Sequence, residues 1–79
     1  MDWKAETKIR FAKHLLSLLE AYGKTHQDEK NSLRAFAARS GLEYSHVQRI
    51  TKGQVDVAMT TLFSLAEGLK IQPKELLDF

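Results

Sequence analysis

Apolar residues recur along this chain at helical spacing, and no stretch alternates apolar and polar positions for the length of a strand. Phe11, Leu15, Leu18 and Tyr22 fall at i, i+4, i+7 and i+11, which is one helix face. Ile9, Ala12, Leu16 and Leu19 make a second row beside it. The pattern predicts a first helix over residues 5–22, closed by Gly23, with a stripe wide enough to be well buried or shared with a partner. Trp3, a lone aromatic ahead of that helix, is expected to cover the open end of the core. Residues 24–31, KTHQDEKN, carry no periodic apolar residue and read as a long exposed connection.

Ser32 is a good N-cap for a second helix in which Leu33, Phe36 and Ala37 face the core. Ala37 and Ala38 are small enough for two helices to approach closely at a turn. Gly41 suits the left-handed position that ends this helix, so Ser40 closes it, although Ser40-x-x-Glu43 also fits a capping box. Residues 43–53, EYSHVQRITKG, then form a third helix that turns Val47 and Ile50 inward and leaves a polar face outside. Helix, tight glycine turn, polar-faced helix is the sequence form of a helix-turn-helix. Residues 54–58 cross to a fourth helix whose predicted buried stripe is Met59, Leu62, Leu65, Ala66 and Leu69, with Gly68 near its end. Ile71 plugs the core, and Pro73 opens a short last helix in which Leu76 points inward. The expectation is all-α: one domain over residues 1–79, a compact bundle of five helices.

With 79 residues and no cysteine, the domain has neither a disulfide framework nor a thiolate metal site and must rest on its apolar core. No run approaches a membrane span, and the first residues, MDWKAETK, lack the apolar region of a signal peptide, so a cytoplasmic protein is expected. The net charge of +2 is unevenly spread. Residues 30–54 carry Lys30, Arg34, Arg39, Arg49 and Lys52 against the single acid Glu43, whereas residues 1–29 balance and residues 55–79 are acidic. Positive charge thus gathers on the predicted helix-turn-helix, as a nucleic-acid footprint would. Charge alone does not separate that footprint from a solvated basic face.

From Ser32 to Phe79 the chain resembles the Cro/repressor-like, XRE-type helix-turn-helix regulators of bacteria and phages. The resemblance is carried by Leu33, Phe36 and Ala37, by the turn Ser40-Gly41-Leu42, and by Val47-Gln48-Arg49-Ile50 closed by Lys52-Gly53. Met59, Thr61, Leu62, Leu65-Ala66, Leu69-Lys70-Ile71 and Pro73-Lys74-Glu75-Leu76 complete it. It implies a lambda-repressor-like DNA-binding fold. Four positions depart from the family. Glu43 replaces the usual Ser or Thr cap of the third helix. Leu33 replaces a glutamine that often holds a phosphate. Thr51 stands where a glutamate often pairs with an arginine of the first helix, a position aligned here with Leu19. The first connection is also longer.

At 3.6 residues per turn, Ser45 and Arg49 lie almost opposite Val47 and Ile50, flanked by His46, Gln48 and Lys52, with Tyr44 at the helix end. Such side chains match the base edges of a major groove: Arg49 guanine O6/N7, Gln48 adenine N6/N7, Ser45 and His46 either donors or acceptors. Tyr44 offers a hydroxyl or packs on a thymine methyl. The resemblance puts base reading on Tyr44, Ser45, His46 and Arg49, and Gln48 joins them on chemistry. Phosphate contacts are expected from Ser32, Arg34, Lys52, Gln54 and Thr60, with helix N-terminal amides.

The expected function is sequence-specific binding of double-stranded DNA by a small transcriptional regulator, acting as a homodimer on a palindromic operator. Leu77 and Phe79 offer surface either for a second copy or for packing on the first helix. Trp3 and the wide stripe of that helix are a rival interface. The alternatives are the antitoxin of a toxin–antitoxin pair, with the toxin as partner, and a protein-interaction module that keeps the fold without binding DNA. His14, His26 and His46 have no metal-ligand spacing, and no paired acids or cysteine nucleophile suggest an enzyme. Neither a cofactor nor a small-molecule substrate is expected.

Overall fold

The computed structural model describes residues 2–79, and these form four α-helices and one 3-10 helix, without strands. The helices are α1 (Trp3–Thr25), α2 (Leu33–Ser40), α3 (Tyr44–Thr51) and α4 (Met59–Leu69), followed by the 3-10 helix Pro73–Leu77. The last element is therefore a tight 3-10 turn rather than a fifth α-helix. No helix among the described residues is long and apolar enough to cross a membrane.

One core unites the five elements. Leu15 of α1, Phe36 of α2, Val47 and Ile50 of α3, Leu65 of α4 and Leu76 of the 3-10 helix are its largest fully buried side chains. Short helices of eight residues are marginal in isolation, so α2 and α3 exist because they bury these side chains. Ser32 caps α2 as expected, its Oγ accepting from the Ala35 amide at 3.1 Å. Gly41 takes the left-handed conformation at φ 67°, and the Leu42 amide closes the turn on the Ala37 carbonyl at 3.0 Å.

The first helix departs from its prediction at both ends. It begins at Trp3, where the Asp2 carboxylate accepts from the Lys4 amide, and it runs through Gly23 to Thr25. Gly23 does not end α1; it makes room beside it. A Cβ there would meet the Asn31 amide nitrogen at 2.7 Å, and that amide donates to the Leu19 carbonyl at 2.8 Å. The buried face is Phe11, Ala12, Leu15, Leu19 and Tyr22, narrower than the expected double stripe, with Ile9 and Leu16 exposed. Trp3 is 69% exposed and covers no core.

One further expectation fails for a reason of packing. Met59 is 75% exposed because it opens α4, before the helix meets the bundle. Of the two small residues expected at a close approach, Ala37 is buried and Ala38 is exposed, and α2 also approaches α4 closely where Ser40 abuts Gly68. Thr51 and Leu19 are also out of register. Gly53 packs on the Ile9 backbone, where a Cβ would come within 3.0 Å of its Cα. Leu19 is ten residues further along α1, about 15 Å by helical rise.

The connection between α1 and α2 is not a free loop. The Tyr22 hydroxyl donates to the Glu29 carboxylate at 2.6 Å, and the Lys70 ammonium lies 3.3 Å from the other carboxylate oxygen. Arg39 donates to the Lys30 carbonyl at 2.8 Å and the Gly68 carbonyl at 3.0 Å, and it sits 4.2 Å over the Tyr22 ring. At the other end, His14 Nε2 donates to the Glu75 carbonyl at 2.6 Å, which holds the 3-10 helix on α1. Phe79 also settles on α1, edge-on to Phe11 at 6.0 Å and under the Arg10 guanidinium at 5.3 Å. Leu77 remains 60% exposed.

Candidate nucleic-acid interface

The third helix is shorter than residues 43–53: Glu43 is its N-cap and Lys52 its C-cap. Gly53 then adopts φ 70°, a left-handed turn that only glycine takes without strain. Val47 and Ile50 are fully buried and fix the rotation of α3 about its axis. Ser45 and Arg49 consequently face solvent, with His46 and Gln48 half-buried at the flanks and Lys52 exposed at the C-cap. Nothing covers this face among the described residues.

Of the ten predicted contact residues none is buried. Ser32, Arg34, Ser45, Arg49, Lys52, Gln54 and Thr60 are exposed, while Tyr44, His46 and Gln48 are half-buried. Gln54 is held by its amide, which donates to the Arg49 carbonyl at 3.1 Å, so the chain beyond α3 stays close to the helix end. Thr60 lies in the first turn of α4. That turn has no side-chain cap, since Ala58 occupies the capping position, and its first amides have no intrahelical partner. Glu43 likewise makes no capping hydrogen bond. The free amides at both helix ends carry partial positive charge and suit an anion.

The structure redistributes the basic charge that the sequence grouped together. Arg39 points away from the α3 face, into the junction of α1, α2 and α4, where its donors are taken by backbone carbonyls. Arg34 remains exposed, but its guanidinium lies 4.2 Å from the centroid of the Tyr44 ring. Neither residue type nor spacing reports which α2 side chain meets the head of α3, so the sequence does not show this pairing. The guanidinium also covers one face of the Tyr44 ring. Arg34, Arg49 and Lys52 are the cations left for an anionic partner on this side.

Among the described residues no group of three or more His, Asp or Glu side chains could hold a metal ion. A groove of about 610 Å³ runs along the outside of the N-terminal part of α1, between Trp3, Val55, Val57, Met59 and Leu77. Its lining is mainly apolar, with Lys4, Lys8 and Asp56 at its rim, and Lys8 and Asp56 are 4.0 Å apart.

These features agree with comparisons to known proteins. The crystal structure of the restriction-modification controller protein C.AhdI from Aeromonas hydrophila superposes with a TM-score of 0.73. It shares 28% identity with this chain, and the alignment covers 90% of this chain and 97% of that one. No curated protein matches. A family model described as a Cro/C1-type helix-turn-helix DNA-binding domain matches residues 24–79, most of the chain and every element from the end of α1 onward, so the chain belongs to the Cro/C1-type helix-turn-helix DNA-binding family.

Proposed function

We propose that this protein is a transcriptional regulator that reads double-stranded DNA with α3 in the major groove. The observation that carries this reading is the division of α3 into two faces. Val47 and Ile50 are locked in the core, which leaves Ser45 and Arg49 presented together on a rigid support. A helix held this way meets the geometric demand of groove reading, because base-edge hydrogen bonds need donors placed by the fold rather than by a loop. In this reading Arg49 pairs with a guanine, while Ser45, His46 and Gln48 contact neighbouring base edges. Ser32, Lys52, Gln54 and Thr60, with the uncapped amides of α4, take phosphates on either side.

One α3 spans too few base pairs to specify a site, so the active form is a homodimer on a two-fold operator. The groove beside Trp3, Met59 and Leu77 supports this, since three exposed apolar side chains flank it. It adjoins the connection that follows α3, so a two-fold contact there would set the spacing of two recognition helices. The likeness to a restriction-modification controller protein supports a regulatory role for this chain.

Selection from random-sequence duplexes, followed by titration at several salt concentrations, tests the proposal. The expected result is a two-fold motif whose affinity falls steeply with salt, in proportion to the phosphates contacted. No enrichment of any duplex at low salt would leave a Cro/C1-type fold used only for protein contacts.

A further inference from the structure

Arg34 and Tyr44 belong to different helices, yet their side chains make one unit. At 4.2 Å from the ring centroid, the Arg34 guanidinium is at contact distance over the π face. Tyr44 is half-buried and packs partly on the core, so the ring is a fixed platform; Arg34 is exposed. Among the described residues no carboxylate forms an ion pair with Arg34. A guanidinium carries its N–H groups in one plane, and a fork of two can meet two oxygens of a phosphate. The platform sits at the first residue of α3, beside the uncapped helix end at Glu43.

We propose that Arg34 and Tyr44 act as one composite DNA contact. The Tyr44 ring orients the Arg34 guanidinium toward a backbone phosphate. Arg34 in turn holds the ring edge-on to the groove, so the Tyr44 hydroxyl meets a base edge at one position. Arg34 is thereby a positioning residue for specificity as well as a source of charge. The inference rests on the DNA-reading role proposed for α3.

The experiment uses the best duplex from random selection and compares wild type, Arg34→Ala, Arg34→Lys, Tyr44→Leu and the double variant Arg34→Ala/Tyr44→Leu. Arg34→Ala should weaken binding by roughly tenfold and lower the salt slope by about one. Arg34→Lys should keep the salt slope but relax preference at the base nearest Tyr44, because an ammonium gives charge without the planar stack. Tyr44→Leu should relax the same base, and Arg34→Ala should then relax it little further in the double variant, losing only the charge contribution. Losses of preference at that base that multiply, or an Arg34→Lys variant with unchanged base preference, would overturn the composite contact while leaving DNA reading by α3 intact. Wild type that binds no duplex would remove both. Thermal melts guard against misfolding of Tyr44→Leu; the exposed Arg34→Lys position keeps the test decisive if that variant fails to fold.

Discussion

Arg39 lies with its guanidinium 4.2 Å over the ring of Tyr22, and the two residues come from helices that the long first connection separates in sequence. The same guanidinium donates to the carbonyls of Lys30 and Gly68, so one side chain ties α1, the connection, α2 and α4. Removing it strands two carbonyls and a stacked aromatic face. Arg39→Ala is expected to cost about 2–3 kcal/mol of stability, from charged hydrogen bonds and the cation–π contact together. Arg39→Lys should recover little, since an ammonium cannot serve both carbonyls and the ring at once. Urea unfolding measures the loss. Folded Arg39→Ala should bind DNA as wild type does, and a changed salt slope would return Arg39 to the DNA face.

Beside it, Tyr22, Glu29 and Lys70 form a lock with a defined pH range. The hydrogen bond from Tyr22, above all, holds the Glu29 carboxyl below its ordinary value, with Lys70 adding to the effect against the cost of burial. A depressed carboxyl contributes stability above the unfolded pKa, near 4.3, and that contribution disappears as pH falls through the folded value. The Tyr22 hydroxyl is pushed up by its hydrogen bond to Glu29 and by burial, and Lys70 is raised by Glu29. Their contributions are complete below the unfolded values, near 10, and fade as pH rises through the folded ones. The urea midpoint should therefore form a plateau from about pH 5 to pH 9 with a fall on each side. Glu29→Gln should flatten the acid limb, and an unchanged acid limb would show that another carboxylate sets it.

Ser40 and Gly68 give a prediction of opposite signs at one contact. The Ser40 hydroxyl is buried without a hydrogen-bond partner, and it occupies the space a Cβ at position 68 would need. Ser40→Ala removes an unsatisfied polar group and should leave stability unchanged or raise it by up to about 1 kcal/mol. Gly68→Ala should lower it by more than about 1 kcal/mol, because α2 and α4 must move apart. Calorimetric melting of the two variants decides the matter. A destabilised Ser40→Ala would mean that the hydroxyl has a partner after all.

The dimer proposed above is open to a direct test at Met59. This side chain is 75% exposed at the start of α4, so Met59→Glu should leave the monomer fold intact while placing a charge in the groove. Sedimentation is expected to show wild type above the monomer mass of 9.0 kDa and Met59→Glu at it. Operator affinity should fall in step, because two half-sites would no longer be bound as one. Wild type that sediments as a monomer on its operator would rule the groove out as a two-fold contact.

How much of this was legible in the sequence follows from what each signal reports. Apolar periodicity reports burial on one element, and it identified Leu15, Phe36, Val47, Ile50, Leu65 and Leu76 as core without ambiguity. Ser32 and Gly41 announced the ends of α2 because capping is local chemistry. Met59 is exposed although its spacing continues the α4 stripe, because the stripe runs beyond the point where α4 meets the bundle. Gly23 lies inside α1 because its role depends on Asn31, eight residues later, and a helix tolerates one glycine when tertiary contact offsets the loss. Arg39 counts in the sequence as part of the basic cluster for the same reason: its partners at Lys30, Tyr22 and Gly68 lie on other elements. The α3 face was readable as a face, but its pairing of Tyr44 with Arg34 was not.

Arg49 and Lys52 separate reading from holding on that face. Both are exposed, Arg49 in the body of α3 and Lys52 at its C-cap, where the chain turns away through Gly53. A side chain in the helix body can enter the groove, whereas one at the C-cap lies nearer the phosphates. Arg49→Ala is expected to weaken the specific complex by about 1–3 kcal/mol and to relax a single base position. Lys52→Ala should lower affinity for every sequence alike and reduce the salt slope by about one. Repeating the duplex selection with each variant measures both effects. An Arg49→Ala protein that kept its site preference would move the reading face off Ser45 and Arg49, toward the end of α3 held by Tyr44.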